Sequence, residues 1–187
     1  MPRVAILASY NGSGFVALYE AMQSGKLSIE IPLIISNNSS ATVLEKAAFF
    51  GIDHFVINAK TETNPDIAIE RLLYKYGCDF VFLSGYMKKV GANITQNFKV
   101  INSHPALLPN YGGARMYGRF VHEAVIKNSE KVSGVTIHEV NENYDDGKII
   151  LQKSLLLDEQ ESVDSLETKI KEVEKIAIVE AFQALIS

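Results

Sequence analysis

Short apolar runs rich in β-branched residues alternate with amphipathic stretches as far as residue 104, and this alternation constrains the fold more than any other feature of the chain. Strands that are hydrophobic throughout and separated by helices are typical of a parallel sheet covered on both faces. The sequence therefore predicts an α/β, Rossmann-like fold. The predicted strands are "VAILA" (4–8), "IEIPLIIS" (29–36), "HFVINA" (54–59), "DFVFLSG" (79–85) and "VINSH" (100–104).

The predicted helices lie between these strands. One covers residues 15–22, and a second covers residues 41–50. The third has the clearest boundaries: Asn64 is a candidate N-cap, Pro65 suits the first helical position, and Gly77 marks the end.

After residue 115 the pattern changes. A helical stretch at 118–130 is followed by two strands, "SGVTIHEV" (133–140) and "IILQKSLLL" (149–157). We expect these strands to form an antiparallel hairpin, and Ser162 to cap a final amphipathic helix. No linker or repeat interrupts the chain, so we expect residues 1–187 to form a single domain.

Composition narrows the class of protein. Of the 187 residues 47% are hydrophobic and 21% are charged, which is typical of a globular domain. The formal net charge of -4 gives no basic footprint for nucleic acid. No apolar run approaches the roughly 20 residues of a membrane span. A single cysteine, Cys78, fits a reducing compartment. We therefore expect a cytoplasmic protein that binds neither nucleic acid nor membranes.

The stretch "SYNGSGF" (9–15) joins the first predicted strand to a helix, where free backbone N–H groups can bind an anion. Only Gly12 and Gly14 are present, so it is not a dinucleotide fingerprint, and it lacks the Lys-Ser/Thr pair of a P-loop. Two interpretations stay open: a cradle for a single phosphate, or a tight strand-to-helix turn.

The stretch "VINSHPALLPNYGG" (100–113) carries the strongest chemical signal. Asn102 and His104 lie two apart in a strand, so their side chains point to the same face. An amide N–H and an imidazolium N–H aimed at one point can stabilise an oxyanion, and an imidazole can also transfer a proton near neutral pH. Pro105 and Pro109 stop further sheet pairing, and the Leu108–Pro109 bond is a candidate for the cis form. The alternative is a purely structural strand-end histidine.

The acidic loop "NYDDGK" (143–148) could bring a carboxylate to His104, raise the pKa of its imidazole and keep it protonated near pH 7. Neither Ser103, on the opposite face, nor Cys78 suits a nucleophile. The four histidines lack the spacing of a metal site, so we expect no metal, and the other three are assigned structural roles: His54 and His138 on strands and His122 on a helix.

Taken together, these segments resemble the folate-dependent formyltransferases. The segments concerned are "NGS" (11–13), "LSGYMKKV" (83–90), "NSHPALLP" (102–109), "YDDGKIILQ" (144–152) and the final helix. The resemblance implies transfer of a formyl group from 10-formyltetrahydrofolate, as cosubstrate, to the primary amine of glycinamide ribonucleotide in purine synthesis. It implies a monomer or homodimer.

The resemblance also implies roles for individual residues. Asn102 would hold the formyl oxygen, His104 would act as the general acid, and Asp145 would pair with His104. The positions matching substrate-binding ones are Asn11, Gly12, Ser13 and Gly14 for the phosphate, and Lys171 and Glu174 for the phosphate and ribose. Lys171 and Glu174 have an alternative reading as a surface ion pair. The positions matching the folate pocket are Met87, Lys88, Lys89 and Val90, with Asn141 and Asp145 in its closing loop.

Two departures from the family pattern keep alternatives open. Tyr10 stands where the family has glycine, and Gly14 stands where it has asparagine, which removes a side-chain donor at the phosphate site. A formyltransferase of the same fold that acts on another amine, such as an amino sugar, is the nearest alternative. A non-catalytic or degenerate Rossmann-like binding module is the alternative from another class. A deformylase is disfavoured because the chain starts directly at its first strand.

Overall fold

A computed structural model describes the whole chain, Met1 to Ser187, and its elements follow the predicted alternation. The strands are β1 (Arg3–Leu7), β2 (Glu30–Ser36), β3 (Asp53–Val56), β4 (Phe80–Leu83), β5 (Lys99–His104), β6 (Val132–Glu139) and β7 (Ile149–Leu156). The helices are α1 (Ser13–Gln23), α2 (Thr42–Phe49), α3 (Pro65–Lys75), α4 (Ala92–Asn97), α5 (Arg119–Lys127) and α6 (Val163–Ile186).

The seven strands form one sheet in the order β3-β2-β1-β4-β5-β6-β7. β1 pairs in parallel with β2 and β4, and β2 pairs in parallel with β3. β6 and β7 pair antiparallel. The predicted α/β fold, with its C-terminal hairpin and final helix, is confirmed.

The chain divides into two compact units, Met1–Ile101 and Asn102–Ser187. In the first unit β1 lies between β2 and β4, so residues Val4–Leu7 are completely buried. The chain runs outward from β1 to β3 and then returns to β4 on the other side of β1. In open α/β sheets ligands bind at the carboxyl ends of the strands at such a reversal. The segments after β1 and β4 meet there, since the Ser9 N–H donates to the Gly85 carbonyl at 3.1 Å.

The second unit has its own core. β6 contributes Val135 and Ile137, and α5 contributes Val121 and Val125. The buried stripe of α6 includes Leu166, Ile170, Ala177, Ile178, Ala181 and Phe182. This is the helical spacing expected of an amphipathic helix that packs on a sheet.

The predicted helix caps are confirmed. The Asn64 side chain accepts the Ile67 N–H, Pro65 is the first residue of α3, and Gly77 adopts a positive φ just past its end. The Ser162 hydroxyl accepts the Ser165 N–H in a capping box at the start of α6. No helix in the chain has both the length and the apolar character needed to cross a membrane.

Most elements begin and end within a few residues of the predicted bounds, but one helix was not predicted and one strand ends early. α4 was not predicted, because its six residues bury only Ile94 and so carry no amphipathic repeat. β3 ends at Val56 and does not continue to residue 59. The Asn58 side chain accepts the Lys60 N–H at 2.8 Å, and this turn competes with further strand pairing.

Candidate active site

The end of β5 presents its side chains alternately to two faces, as predicted. On one face Asn102 Nδ2 lies 3.2 Å from His138 Nε2, and His104 contacts Asp145. On the other face the Ser103 hydroxyl donates to Glu174 Oε1 at 2.5 Å. The structure therefore brings Asn102, His104 and Asp145 into one cluster, which contains His138 as well.

His104 is fixed through both ring nitrogens. Nε2 donates to the Tyr111 carbonyl at 2.7 Å, and Nδ1 lies 3.6 Å from Asp145 Oδ2. The side chain is only 4% exposed. Since a carbonyl and a carboxylate both accept hydrogen bonds, the ring faces an acceptor at each nitrogen, and these partners favour the imidazolium form.

Burial nevertheless governs the protonation of His104. Burial lowers the pKa of the imidazole, Asp145 and the Tyr111 carbonyl raise it, and His138 lowers it further. The pKa lies below its ordinary value as a result. The expectation that Asp145 keeps His104 protonated near pH 7 is therefore wrong for the free protein: the carboxylate acts in the predicted direction but does not compensate for burial.

Asp145 lies in the loop between β6 and β7 and has three partners outside that loop. Its Oδ2 accepts the Gly113 N–H at 2.9 Å, and its Oδ1 lies 3.6 Å from His138 Nε2. Burial raises the pKa of the carboxyl, but His138, His104 and the Gly113 N–H lower it, and the balance is a pKa below the ordinary value. Asp145 is thus an ionised carboxylate at neutral pH.

The paired glycines after "LLPNY" have separate functions. A Cβ on Gly112 would lie 2.6 Å from Leu108 Cδ2 and 3.3 Å from Asp145 Cβ, so a larger residue here would displace the Leu108 side chain and press on Asp145. Gly113 has a φ of +94° and supplies the N–H that Asp145 accepts. The glycine pair therefore helps to place the carboxylate.

The segment between Pro105 and Pro109 is held by β6 and β7. Thr136 Oγ1 donates to the Ala106 carbonyl at 2.7 Å and accepts the Leu108 N–H at 3.0 Å. Gln152 Nε2 donates to the Leu108 carbonyl at 2.9 Å. The Leu108–Pro109 bond is cis, as the sequence suggested.

His138 is the residue that sequence reasoning missed. The Glu139 carbonyl can only accept, so His138 Nδ1 carries the hydrogen and donates to it at 2.9 Å. In the neutral ring Nε2 accepts an Asn102 N–H, which leaves the second amide N–H of Asn102 to face a ligand, whereas in the charged ring Nε2 carries a hydrogen toward Asp145 Oδ1. The available signal was the T-x-H spacing in β6, which puts His138 on the same face as Thr136.

The loop after β1 forms the N-terminus of α1. Gly12 precedes the helix with a φ of +62°, and a Cβ there would lie 2.6 Å from Val43 Cγ2. The Phe15 N–H donates to the Ser84 hydroxyl at 3.1 Å. The amides of Ser13 and Gly14 belong to the first turn, where no intrahelical acceptor exists.

Asn11 has partners within the protein. Its side-chain oxygen accepts from Lys46 Nζ at 2.5 Å and from the Thr42 hydroxyl at 3.3 Å, and its carbonyl accepts from Lys46 at 2.8 Å. Burial lowers the pKa of Lys46. Lys46 was not singled out from the sequence, and it places a cation beside the loop.

The segment at 87–90 lies between β4 and α4, outside any helix or strand. The Met87 N–H donates to the Ser9 hydroxyl at 2.7 Å, and this hydroxyl donates to Asn37 Oδ1 at 2.6 Å. Met87, Lys88 and Lys89 have accessible side chains, whereas Val90 is buried.

The remaining predicted residues lie in the second unit. Lys171 Nζ pairs with Glu167 Oε1 at 3.0 Å, whereas Glu174 accepts from Ser103, so Lys171 and Glu174 do not form an ion pair with each other. Burial raises the pKa of Glu174 above its ordinary value, against the opposing effects of Ser103 and Lys171. Asn141 is exposed, and its side chain accepts the Asn143 N–H at 2.8 Å.

The chain is similar to known proteins over nearly its whole length. The family described as Formyl transferase matches residues 2–182. The chloroplastic phosphoribosylglycinamide formyltransferase of Arabidopsis thaliana is 34% identical over 98% of this chain, which spans 65% of that relative. The phosphoribosylglycinamide formyltransferase of Bacillus subtilis is 32% identical over 93% of this chain and 89% of its own length.

A solved structure gives the same picture. The crystal structure of phosphoribosylglycinamide formyltransferase from Bacillus halodurans has a TM-score of 0.90 and 33% identity, covering 99% of this chain and 95% of its own. The fold of this chain thus has a counterpart in a solved structure over nearly its whole length. The chain belongs to the formyl transferase family.

Proposed function

We propose that this protein transfers the formyl group of 10-formyltetrahydrofolate to the primary amine of glycinamide ribonucleotide, in de novo purine synthesis. The observation that carries this proposal is the cluster of Asn102, His104 and Asp145. His104 contacts Asp145, and His138 lies beside both Asn102 and Asp145. The names of the relatives at about a third identity over nearly the whole chain support the same reaction.

The folate supplies an activated formyl group: the amine forms a bond to the formyl carbon, the bond from that carbon to the folate nitrogen breaks, and a proton passes from amine to folate. Asn102 donates its free N–H to the formyl oxygen as negative charge develops there. His104 supplies the second donor and acts as the general acid. Asp145 stabilises the imidazolium form of His104.

His104 needs a change of environment to do this, because its pKa in the free protein lies below the ordinary value. An oxygen that gains negative charge beside the ring favours the charged imidazole, and so does the ionised Asp145. The pKa of His104 would therefore rise as the transition state forms, which is when a general acid is required.

Substrate recognition is assigned to both units separately. In the first unit the amides of Gly12, Ser13 and Gly14 would bind the phosphate at the N-terminus of α1, with Asn11 shaping the loop. In the second unit Lys171 and Glu174 would contact the phosphate and ribose. Lys171 is exposed and able to exchange its Glu167 partner for a phosphate.

The folate is assigned to Met87, Lys88, Lys89 and Val90, with Asn141 and Asp145 in the loop between β6 and β7. The segment at 87–90 fits a pterin because it is irregular and its first three side chains are accessible. The Met87 N–H already donates to the Ser9 hydroxyl.

One observation supports a different acceptor amine as the second candidate. Tyr10, 62% exposed, and Gly14 alter the loop at the N-terminus of α1, where the family pattern has glycine and asparagine. An amino sugar is the nearest alternative acceptor. The non-catalytic alternative has less support, because a pure binding module needs no general acid paired with a carboxylate.

The acceptor can be tested by mixing the protein with 10-formyltetrahydrofolate and following the absorbance of the deformylated folate. We expect a rise with glycinamide ribonucleotide, and none with an amino sugar or with no amine. A rise without amine would indicate a hydrolase, and a rise with only the amino sugar would replace the proposed acceptor.

The remaining parts of the proposal concern the whole chain. We propose that residues 1–187 act as a single formyltransferase domain, and that the protein works in the cytoplasm as a monomer or homodimer on small-molecule substrates. The single cysteine, Cys78, is buried and free, which suits a reducing compartment.

A further inference from the structure

Ser103 lies between Asn102 and His104 but points to the opposite face of β5. Its hydroxyl donates to Glu174 Oε1 of α6 at 2.5 Å, a short hydrogen bond to a carboxyl group. The oxyanion role assigned to Asn102 and His104 needs no particular side chain at residue 103. Any role of the Ser103 side chain therefore comes from the contact of its hydroxyl with Glu174.

Glu174 has few other partners. The charge of Lys171, one turn earlier in α6, lowers the pKa of Glu174, but its ammonium group pairs directly with Glu167. Arg119 of α5 pairs with Asp164 and Glu167, and Lys153 of β7 pairs with Glu180. Arg119 and Lys153 thus contact other carboxylates, and the hydrogen bond that Glu174 accepts comes from Ser103.

We propose that Ser103 is a positioning residue, which holds Glu174 through Oε1 and leaves Oε2 to accept hydrogen bonds from the hydroxyls of the substrate's phosphorylated sugar. This inference rests on the proposed function, since it gives Glu174 its ligand. β5 would then serve the reaction on both faces: Asn102 and His104 act on the formyl group, and Ser103 orients the carboxylate that binds the sugar.

The orienting hydrogen bond also affects when Glu174 is ionised. Burial raises the pKa of this carboxyl, and the Ser103 hydrogen bond opposes that effect. Without the hydroxyl the pKa of Glu174 rises further, so the protonated carboxyl persists to higher pH. A protonated carboxyl has lost acceptor capacity, and sugar binding then weakens as the pH falls.

The test is the Ser103→Ala variant, assayed for both KM and kcat with glycinamide ribonucleotide across a pH series. We expect the KM for the amine to rise about tenfold, as for the loss of one hydrogen bond to a charged group, with kcat within about twofold of wild type. The acid limb of the 1/KM profile should move to higher pH. Ser103→Thr, which keeps the hydroxyl, should restore both.

The chain offers a matched control in Ser133, a buried serine on β6 whose hydroxyl has no hydrogen-bond partner. Ser133→Ala removes the same atom and should leave KM unchanged. The Glu174→Ala background provides a second check, because Ser103→Ala should add nothing once the carboxylate is gone. Thermal unfolding of each variant shows whether the fold is kept.

The outcomes separate this inference from the proposed function. If wild-type protein does not formylate glycinamide ribonucleotide, the proposed function fails and the inference falls with it. If wild type is active but Ser103→Ala has an unchanged KM, a loss confined to kcat, or a full effect in the Glu174→Ala background, only the positioning role is overturned.

Discussion

Four side chains at the ends of β5, β6 and the following loop account for the chemistry that this protein is proposed to perform. The N-x-H-P segment and the acidic loop are local signals for Asn102, His104 and a carboxylate, and the resemblance to the formyltransferases singled out Asp145. His138 was assigned only a structural role, because the T-x-H spacing gives its face on β6 but its contacts with Asn102 and Asp145 depend on strand register. The lowered pKa of His104 was missed for a similar reason: burial is a property of the folded chain.

The partnership of His104 with Asp145 predicts a pH effect. Asp145→Asn removes a charge that raises the pKa of His104, so that pKa should fall further below its ordinary value of about 6.5. The reaction needs protonated His104, and kcat/KM is lost as pH rises through this pKa. The alkaline limb of the kcat/KM profile should therefore move to lower pH in the variant. An unmoved limb would show that Asp145 does not act through His104.

The contact between His138 and Asn102 predicts coupling. His138→Leu removes the acceptor that orients the Asn102 amide, and a small displacement of a catalytic group can cost about 10²-fold in rate. We expect kcat to fall roughly 10- to 100-fold, with little change in KM. In the double variant with Asn102→Ala, the fold-loss in kcat should be smaller than the product of the two single fold-losses. Fully multiplicative losses would mean that His138 acts independently of Asn102.

At the scale of elements, the sequence predicts what local rules control. Asn64 and Ser162 cap α3 and α6 as expected, and the hydrophobic strands lie in the sheet. The sequence predictions are wrong where the local pattern is weak or where another local structure competes with the predicted one. α4 is too short to show a periodic pattern, and the Asn58 turn ends β3 early. Pairings such as Lys46 with Asn11 connect elements and leave no local signal.

The turn from β1 to α1 predicts a difference between two glycines. Gly12→Ala combines an unfavourable positive φ with a Cβ 2.6 Å from Val43 Cγ2, and should lower the free energy of unfolding by about 2–4 kcal/mol. Gly25→Ala is the matched control, because its φ is +75° but a Cβ there meets nothing within 4 Å. It should cost about 1–2 kcal/mol. Chemical denaturation measures both, and equal losses would remove the steric argument at Gly12.

At the scale of the whole molecule, the α/β order with its C-terminal hairpin follows from the alternation of strands and helices. The formyl transferase family match over residues 2–182 agrees with it. The acceptor amine is harder to infer, because one fold can serve different substrates and the loops around its site carry the residues that distinguish them. Tyr10 and Gly14 are such loop residues. Their effect depends on the contacts that they make with a bound ligand.

The most direct test of the account compares His104→Ala with wild type for formyl transfer and for binding of 10-formyltetrahydrofolate. Losing the general acid and one oxyanion donor should lower kcat by about 10²- to 10⁴-fold, with the folate Kd changed less than about threefold. His54→Ala, on the exposed strand β3, is the matched control and should keep the wild-type rate. A His104→Ala protein that transfers formyl groups at the wild-type rate would contradict the account.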